Sequence, residues 1–151
     1  MDDRSRQIEI VEMDAEHIEQ LAELEQISFG EPWSVEGLLE ELSNPTAVFR
    51  VALVDGQVAG YVGMHHIVDE GYITNIAVFP QYRRQGVATK LMKTLMKYAK
   101  DNEMSMLSLE VRPSNEAARK LYEDLGFSEE GRRKGFYRDP AEDGLIMTRF
   151  F

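Results

Sequence analysis

One stretch, residues 75–100, constrains the fold of this chain more than any other part of the sequence. Residues 76–79 are an apolar run that Pro80 ends, because proline cannot extend a central strand. A short loop with Gly86 follows, and apolar side chains then recur with the period of one helix face. These apolar positions are Ala88, Leu91, Met92, Leu95, Met96 and Ala99. The stretch therefore predicts a strand, a glycine loop and an amphipathic helix.

The predicted loop is suited to bind an anion. A helix that begins at a glycine loop presents unpaired backbone N–H groups at the positive end of its dipole, which favours a phosphate there. Arg83 and Arg84 precede this glycine, and guanidinium groups pair well with phosphate. We expect a phosphate-bearing ligand at this loop.

The length and composition indicate a single domain over residues 1–151, with residues 1–7 expected to be flexible. The sequence has no run of about 18 apolar residues, and its polar start lacks the apolar segment of a signal peptide. Cysteine is absent, which excludes disulfides, thiolate metal sites and a cysteine nucleophile and fits a reducing cytoplasm. We expect a cytoplasmic protein without a membrane partner.

The net charge of −10 is unevenly distributed along the chain. Residues 1–45 hold 13 acidic and 2 basic side chains, while the basic residues gather around and after the glycine loop. This acidity is either a solvated helix face or a negative rim for a cationic substrate. An acidic chain is poorly suited to sequence-independent nucleic-acid binding. We expect no direct nucleic-acid partner, and a monomer or weak dimer.

The predicted order of elements is β-α-α-β-β-β-α-β-α-β-β, which indicates an α/β (α+β) fold with helices packed on a mixed central sheet. The first helix is expected to begin after Asp14, a good N-cap, and to end near Phe29 with Ile27 directed inward. Asp55-Gly56 predicts a β-hairpin. No repeat or linker interrupts this order, so we place no domain boundary.

Two side chains are candidates for proton transfer. Glu110 lies in an otherwise apolar strand, where an unpaired charge is costly. It is either a general base or half of a structural ion pair with Arg112, two residues along on the same strand face. Tyr122 lies on the apolar stripe of a later helix, so its position alone favours a core residue over a catalytic acid.

The histidines do not indicate a metal site. His65 and His66 are adjacent in a predicted strand and point to opposite faces, so local geometry does not let both bind one metal. His17 is expected on an exposed helix face. We interpret His65 and His66 as structural and expect no metal.

The glycine loop and its context resemble the GNAT superfamily of acyl-CoA-dependent N-acetyltransferases. The superfamily's loop pattern is Arg or Gln, two residues, Gly, one residue, then Gly or Ala. Arg83, Gly86 and Ala88 match this pattern between a strand and a helix. The resemblance extends from Ile8 to Phe150 and implies the single-domain GNAT fold.

Further motifs are similar, more narrowly, to the bacterial ribosomal-protein-alanine N-acetyltransferases. The similar segments are residues 32–34, 109–115, 118–127, 135–137 and 142–147. Two positions depart from that subgroup: Phe136 stands where a tyrosine is expected, and Gly144 where an alanine is expected. Both lie near the substrate-facing end, so they bear on the choice of peptide more than on acetyl transfer.

The resemblance implies acetyl-CoA as the co-substrate and assigns roles to particular residues. The pantetheine arm would be held by Ile76, Ala77 and Val78. The pyrophosphate would be held by Arg83, Arg84, Gln85, Gly86, Val87, Ala88 and Thr89. Asn115 would bind a pantetheine amide, unless it only caps a helix. With the family in view, Glu110 becomes the general base and Tyr122 the acid that protonates the departing thiolate. A backbone N–H near Val78 would polarise the thioester carbonyl. Trp33 and Tyr137 are the candidates for substrate contact, Trp33 either as a lid or as a helix-start anchor.

The resemblance also implies the acceptor, the N-terminal α-amine of a ribosomal protein that begins with alanine. Because cysteine is absent, we expect direct attack in a ternary complex. Two alternatives stay open at the level of the sequence. One is the same chemistry on a polyamine, a small drug-like amine or a lysine side chain. The other is a non-catalytic acyl-CoA-binding regulatory subunit.

Overall fold

Residues 7–151 are described by a computed structural model, which shows a seven-stranded mixed sheet in the order β1-β2-β3-β4-β5-β7-β6. The strands are β1 (Ile8–Glu12), β2 (Ala47–Val54), β3 (Gln57–Ile67), β4 (Glu70–Val78), β5 (Met106–Val111), β6 (Ser128–Tyr137) and β7 (Glu142–Phe150). The helices are α1 (Ile18–Ser28), α2 (Val35–Glu41), α3 (Val87–Asp101) and α4 (Glu116–Asp124). All neighbouring strands are antiparallel except β4 and β5, which are parallel. The predicted fold class and element order are confirmed.

Two apolar clusters hold the helices on opposite faces of the sheet. One face packs against α3 and α4, with Leu91, Leu95 and Tyr122 in its core. The other packs against α1 and α2, with Leu21 and Leu38 in its core. Burying a leucine side chain contributes roughly 1.5–3 kcal/mol, so these clusters fix which residues of each strand face which helix layer.

The sheet opens between its two parallel strands. β4 and β5 pair only from Glu70↔Met106 to Ile73↔Leu109, although β4 continues to Val78. The pairing of β4 with β3 also shifts register between Gly63 and Met64, where β4 carries one extra residue. Residues 75–78 therefore pair with β3 on one side and face an opening on the other.

Two predictions about the first helix are wrong. Ile27 is 56% exposed, because α1 meets the sheet along the line through Leu21 and Leu24 and Ile27 lies beside that line. His17 is buried rather than exposed, and its Nδ1 accepts a hydrogen bond from the Asp14 backbone N–H at 3.0 Å. It completes a capping box in a 3₁₀ turn that precedes α1.

The prediction that residues 1–7 are flexible lies, except for Gln7, outside the described residues. Within residues 7–151, no helix is long and apolar enough to cross a membrane.

Candidate active site

A surface cavity of about 300 Å³ lies where β4 ends and α3 begins. Its lining includes seven of the predicted cofactor residues, namely Val78, Arg83, Arg84, Gly86, Val87, Ala88 and Thr89. Tyr82, Ala117 and Leu121 complete the lining. The last two belong to α4, whose proximity to the loop is a tertiary contact that the spacing of the sequence does not reveal.

Gly86 sets the geometry of the loop. It is the N-cap of α3 with φ +84°, a left-handed conformation that favours glycine, and no side chain caps this helix end. The first intrahelical bond runs from the Lys90 N–H to the Gly86 carbonyl at 3.0 Å. The N–H groups of the first turn before Lys90 therefore have no helical partner and can bind an anion.

The other predicted cofactor residues lie around this cavity in different roles. Ala77 is buried and Ile76 half-buried on the part of β4 that borders the opening. Gln85 Nε2 donates a hydrogen bond to the Gln81 carbonyl at 3.1 Å. Asn115 caps α4, since its Oδ1 accepts a hydrogen bond from the Ala118 N–H at 3.1 Å. The capping role is thus observed, and the pantetheine contact of Asn115 stays a prediction.

Glu110 does not pair with Arg112, the partner proposed in the alternative interpretation of Glu110 as half of an ion pair. Arg133 Nε of β6 lies 3.1 Å from Glu110 Oε1 instead. Arg112 lies beyond the end of β5, where its guanidinium donates to the carbonyls of Arg138 and Pro140 at 3.1 and 2.8 Å. The partner of Glu110 is 23 positions away and is brought near by the β6–β7 hairpin, which sequence spacing cannot indicate.

Tyr137 interacts electrostatically with Glu110 on one side and with Tyr122 on the other. Tyr122 is buried, and among residues 7–151 its hydroxyl has no hydrogen-bond partner. Burial raises the pKa of Tyr122 above its usual 10, with a further contribution from Tyr137. The pKa of Tyr137 is raised to about 12, first by burial and then by the negative charge of Glu110. Both phenols therefore keep their protons at neutral pH.

Of the two predicted substrate residues, Trp33 lies in the α1–α2 loop and Tyr137 ends β6, just before the β6–β7 loop, and these two loops touch. A side-chain carbon added at Gly30, in the α1–α2 loop, would lie 2.6 Å from the Asp139 carbonyl in the β6–β7 loop. The Trp33 ring stacks obliquely on Phe49 with centroids 6.0 Å apart, so it serves at least in part as an anchor. The Tyr137 ring lies under the Arg112 guanidinium at 4.4 Å.

Glu142 ties these loops to the start of α4. Its carboxylate accepts hydrogen bonds from the Ser114 backbone N–H and hydroxyl, each at 2.8 Å, and one from Arg112 at 3.4 Å. These bonds, those from Ser114 first, hold the pKa of Glu142 below its usual value. The substrate-facing loop is thus fastened to the segment that carries Asn115.

The two departures from the subgroup are in contact. A side-chain carbon added at Gly144 would lie 3.0 Å from the Phe136 ring. An alanine at this position would require the ring to move. The phenylalanine and the glycine therefore form one packing arrangement rather than two independent changes.

Glu25 is a buried acidic residue that the sequence analysis did not single out. It is fully buried and accepts hydrogen bonds from the Trp33 N–H, the Tyr61 hydroxyl and Asn75 Nδ2 at 2.8, 2.6 and 3.1 Å. The signal was present: Glu25 follows Leu21 by four residues on the apolar stripe of α1. A charged residue on a buried stripe indicates a specific set of partners.

The remaining histidines have protein partners. His65 Nε2 lies 3.1 Å from Glu41 Oε1, and His66 Nδ1 lies 2.8 Å from the Tyr98 hydroxyl on the opposite face of the sheet. Their opposite orientation agrees with the prediction.

Comparisons with known proteins agree on one family. The chain matches the Acetyltransferase (GNAT) family over residues 18–127. It is 40% identical over 136 residues to a Bacillus subtilis (strain 168) protein that is provisionally named a ribosomal protein bS18-alanine N-acetyltransferase. The match covers 89% of this chain and 90% of that protein. An N-alpha-acetyltransferase of Saccharolobus solfataricus (strain ATCC 35092 / DSM 1617 / JCM 11322 / P2) is 33% identical over 160 residues, covering 97% and 95%. The crystal structure of the ribosomal-protein-S18-alanine N-acetyltransferase from Escherichia coli superposes with a TM-score of 0.87 at 30% identity, covering 95% and 94% of the two chains.

Proposed function

The chain belongs to the GNAT family of acetyltransferases, and we propose that it moves the acetyl group of acetyl-CoA to the N-terminal α-amine of a protein. The substrate we propose is a ribosomal protein that begins with alanine, modified in the cytoplasm. One observation carries the proposal: the opening between β4 and β5 has the anion cavity near its β4 end and Glu110 on its β5 side. A donor along β4 would meet an acceptor at Glu110.

The donor side fits coenzyme A by its chemistry. The first-turn N–H groups of α3, with Arg83 and Arg84, suit a pyrophosphate, and the cavity of about 300 Å³ leaves room for it. Residues 76–78 border the opening and pair with no residue of β5, so this part of β4 suits the amides of the pantetheine arm. The Val78 carbonyl accepts a hydrogen bond from Arg83 Nε at 3.3 Å, which a ligand would have to share or displace.

The acceptor side has the groups that the transfer needs. An α-amine has a pKa near 8, so Glu110 accepts the proton that the amine must lose. The amine nitrogen then forms a bond to the thioester carbon, the carbon–sulfur bond breaks, and Tyr122 donates its proton to the thiolate. Arg133, the partner of Glu110, is 60% exposed and is free to move aside when a charged amine enters.

The choice of a peptide α-amine rests on the touching loops and on charge. Glu31 and Asp139 are exposed on the α1–α2 and β6–β7 loops, and the first 45 residues are strongly acidic. An acidic entrance favours a basic peptide such as the start of a ribosomal protein. The names of the similar proteins given above point to the same substrate class.

The test is acetyl transfer from labelled acetyl-CoA to peptides that differ only in their first residue, with spermidine and a blocked lysine peptide as competitors. We expect the alanine peptide to be acetylated fastest, with little inhibition by either competitor. Transfer to spermidine or lysine but to no α-amine would overturn the proposed substrate. Binding of acetyl-CoA without transfer to any amine would favour a regulatory subunit.

A further inference from the structure

A buried carboxylate connects the first helix with the strand that borders the opening. Glu25 accepts three hydrogen bonds, one each from a donor in the α1–α2 loop, in β3 and in β4. Within residues 7–151 it forms no salt bridge. Burying a carboxylate without a cation is costly, even when it is hydrogen-bonded. The groups that the carboxylate holds in place should therefore explain this cost.

The carboxylate fixes the orientation of the Asn75 amide. A carboxylate can only accept hydrogen bonds, so Asn75 must turn its Nδ2 toward Glu25 and its Oδ1 away. Asn75 is 93% buried, since only 7% of its surface is exposed, and its Oδ1 has no donor among the described residues. Buried acceptors without a partner are rare in folded proteins, which points to a donor supplied by a ligand.

Asn75 and Glu110 lie on the same face of the sheet. On β4 it follows Ile73, the last residue paired with β5, and its side chain lies on the α1 face of the sheet because it reaches Glu25. On β5, Glu110 follows Leu109, the partner of Ile73. Leu109 and Val111 belong to the apolar cluster that packs against α3 and α4. Successive side chains of a strand alternate between faces, so Glu110 points to the α1 face, as Asn75 does. The two polar side chains stand on the two sides of one opening.

We propose that Asn75 Oδ1 accepts a hydrogen bond from the acceptor amine, with Glu25 as the positioning residue that keeps this oxygen turned toward it. The inference rests on the proposed function and adds a selectivity to it. A neutral primary amine has two N–H groups, so one serves Asn75 while the other serves Glu110, and the lone pair is left for the thioester carbon. A secondary amine has one N–H and must leave one of the two oxygens unpaired. The site therefore selects primary over secondary amines.

The experiment compares two peptides that differ only in beginning with alanine or with N-methylalanine. Wild type, Asn75→Ala and the control Thr148→Val are measured for kcat/KM with each peptide and for the KM of acetyl-CoA. Thr148 is buried and its hydroxyl lies 3.0 Å from Ser108 Oγ, so the control also removes one hydrogen bond inside the sheet. We expect Asn75→Ala to lower kcat/KM about tenfold with alanine and about twofold or less with N-methylalanine, because only the primary amine loses a bond. The control is expected to leave the ratio between the peptides unchanged.

A second pair of variants keeps the test decisive if Asn75→Ala folds poorly. Glu25→Gln places an amide N–H₂ group, itself a donor, beside hydrogen-bond donors. This variant is expected to reduce the preference for the alanine peptide over the N-methylalanine peptide. Adding Asn75→Asp reverses the donor and the acceptor of that hydrogen bond, leaves the second carboxylate oxygen facing the amine, and is expected to restore the preference to within about threefold of wild type.

Two outcomes overturn the inference while the proposed function stands. One is an equal loss with both peptides in Asn75→Ala, and the other is an unchanged preference in that variant and in Glu25→Gln. If the wild type transfers acetyl to no peptide α-amine, the proposed function fails first and the inference fails with it. The wild-type measurement alone distinguishes that case.

Discussion

Tyr122 is the residue whose surroundings decide its chemistry most clearly. Its ring is buried beside Phe127, with centroids 6.0 Å apart, while its hydroxyl has no partner among residues 7–151. Packing alone accounts for the ring but not for a hydroxyl without a partner that interacts electrostatically with Tyr137. The hydroxyl is available to donate its proton to a departing thiolate.

Replacing this hydroxyl gives the first prediction. We expect Tyr122→Phe to lower kcat by about 100-fold or more, because general acid catalysis contributes 10²–10⁴-fold. The KM of acetyl-CoA is expected to change little. Tyr98→Phe is the control, since it removes the hydroxyl of an α3 tyrosine whose partner is His66 of β3. Steady-state kinetics give the comparison, and a loss below about threefold in Tyr122→Phe would reject the assignment.

The same tyrosine determines one limb of the pH profile. Burial raises the pKa of Tyr122 above 10, so the acid stays protonated at every pH below that value. We expect kcat/KM to rise with pH as the acceptor amine, with a pKa near 8, loses its proton, and not to fall again below about pH 10. A falling limb between pH 8 and 9 that disappears in Tyr122→Phe would show that the tyrosine titrates in the working range.

Among the elements, the junction between β4 and α3 is the one that would position the proposed donor. The unpaired edge of β4 would direct the acyl end into the opening, while the first turn of α3 would bind the phosphates. Gly86 contributes to this junction, because its left-handed backbone begins α3 and a side-chain carbon added there would meet nothing within 4 Å.

Gly86→Ala is predicted to raise the KM of acetyl-CoA and to lower the free energy of unfolding by about 1 kcal/mol, because a side chain disfavours the left-handed backbone. Gly56→Ala is a matched control. Gly56 has φ +78° in the β2–β3 hairpin, and an added carbon meets nothing within 4 Å at either glycine. Both variants should lose similar stability in urea titrations. If both also keep the wild-type KM, the loop does not hold the co-substrate.

Local patterns in the sequence predict much of this arrangement, and non-local contacts account for what they miss. The apolar periodicity of residues 88–99, the hairpin at Asp55-Gly56 and the N-cap Asp14 each depend on neighbours in the chain, and each matches an observed element. The partner of Glu110 depends instead on how the β6–β7 hairpin lies against β5. No spacing between residues 110 and 133 records that packing.

The same reason explains the missed network at Glu25. Its partners Tyr61 and Asn75 are 36 and 50 positions away along the chain. The sequence shows a charge on a buried stripe, which marks the position as unusual, but the identity of the donors emerges only when α1 packs on β3 and β4. Burial of His17 is similar, since a local capping box is closed over by the tertiary fold.

At the scale of the whole molecule, the β6–β7 loop is fastened to the rest of the protein by Glu142. The pKa of Glu142 is held below its usual 4.5, so its carboxylate stabilises the folded state above that pH and loses this effect as the pH falls below it. We expect Glu142→Gln to have a lower Tm than wild type at pH 7, with the gap narrowing below pH 4.5. Glu123→Gln, at an exposed position of α4, is the control. Thermal unfolding of the variants from pH 3 to 7 gives the comparison. A gap that stays constant with pH would contradict the assigned shift.

Charge over the whole molecule gives a further expectation. The protein carries a net charge of −10, concentrated in the first 45 residues. We expect the KM of a basic alanine peptide to rise about threefold or more between low salt and 0.5 M salt, because salt screens the attraction. An uncharged peptide of the same length is the control. If the KM of the two peptides depends equally on salt, the acidic surface does not contribute to the choice of substrate.

The central claim is that the opening between β4 and β5 joins acetyl-CoA to a protein α-amine. One measurement tests it most directly: a peptide with a free N-terminal alanine and an internal lysine is incubated with isotope-labelled acetyl-CoA, and the product is mapped by mass spectrometry. We expect one label on the N-terminal nitrogen and none on the lysine. A label on the lysine with the N-terminus unmodified, or no label at all, would contradict it.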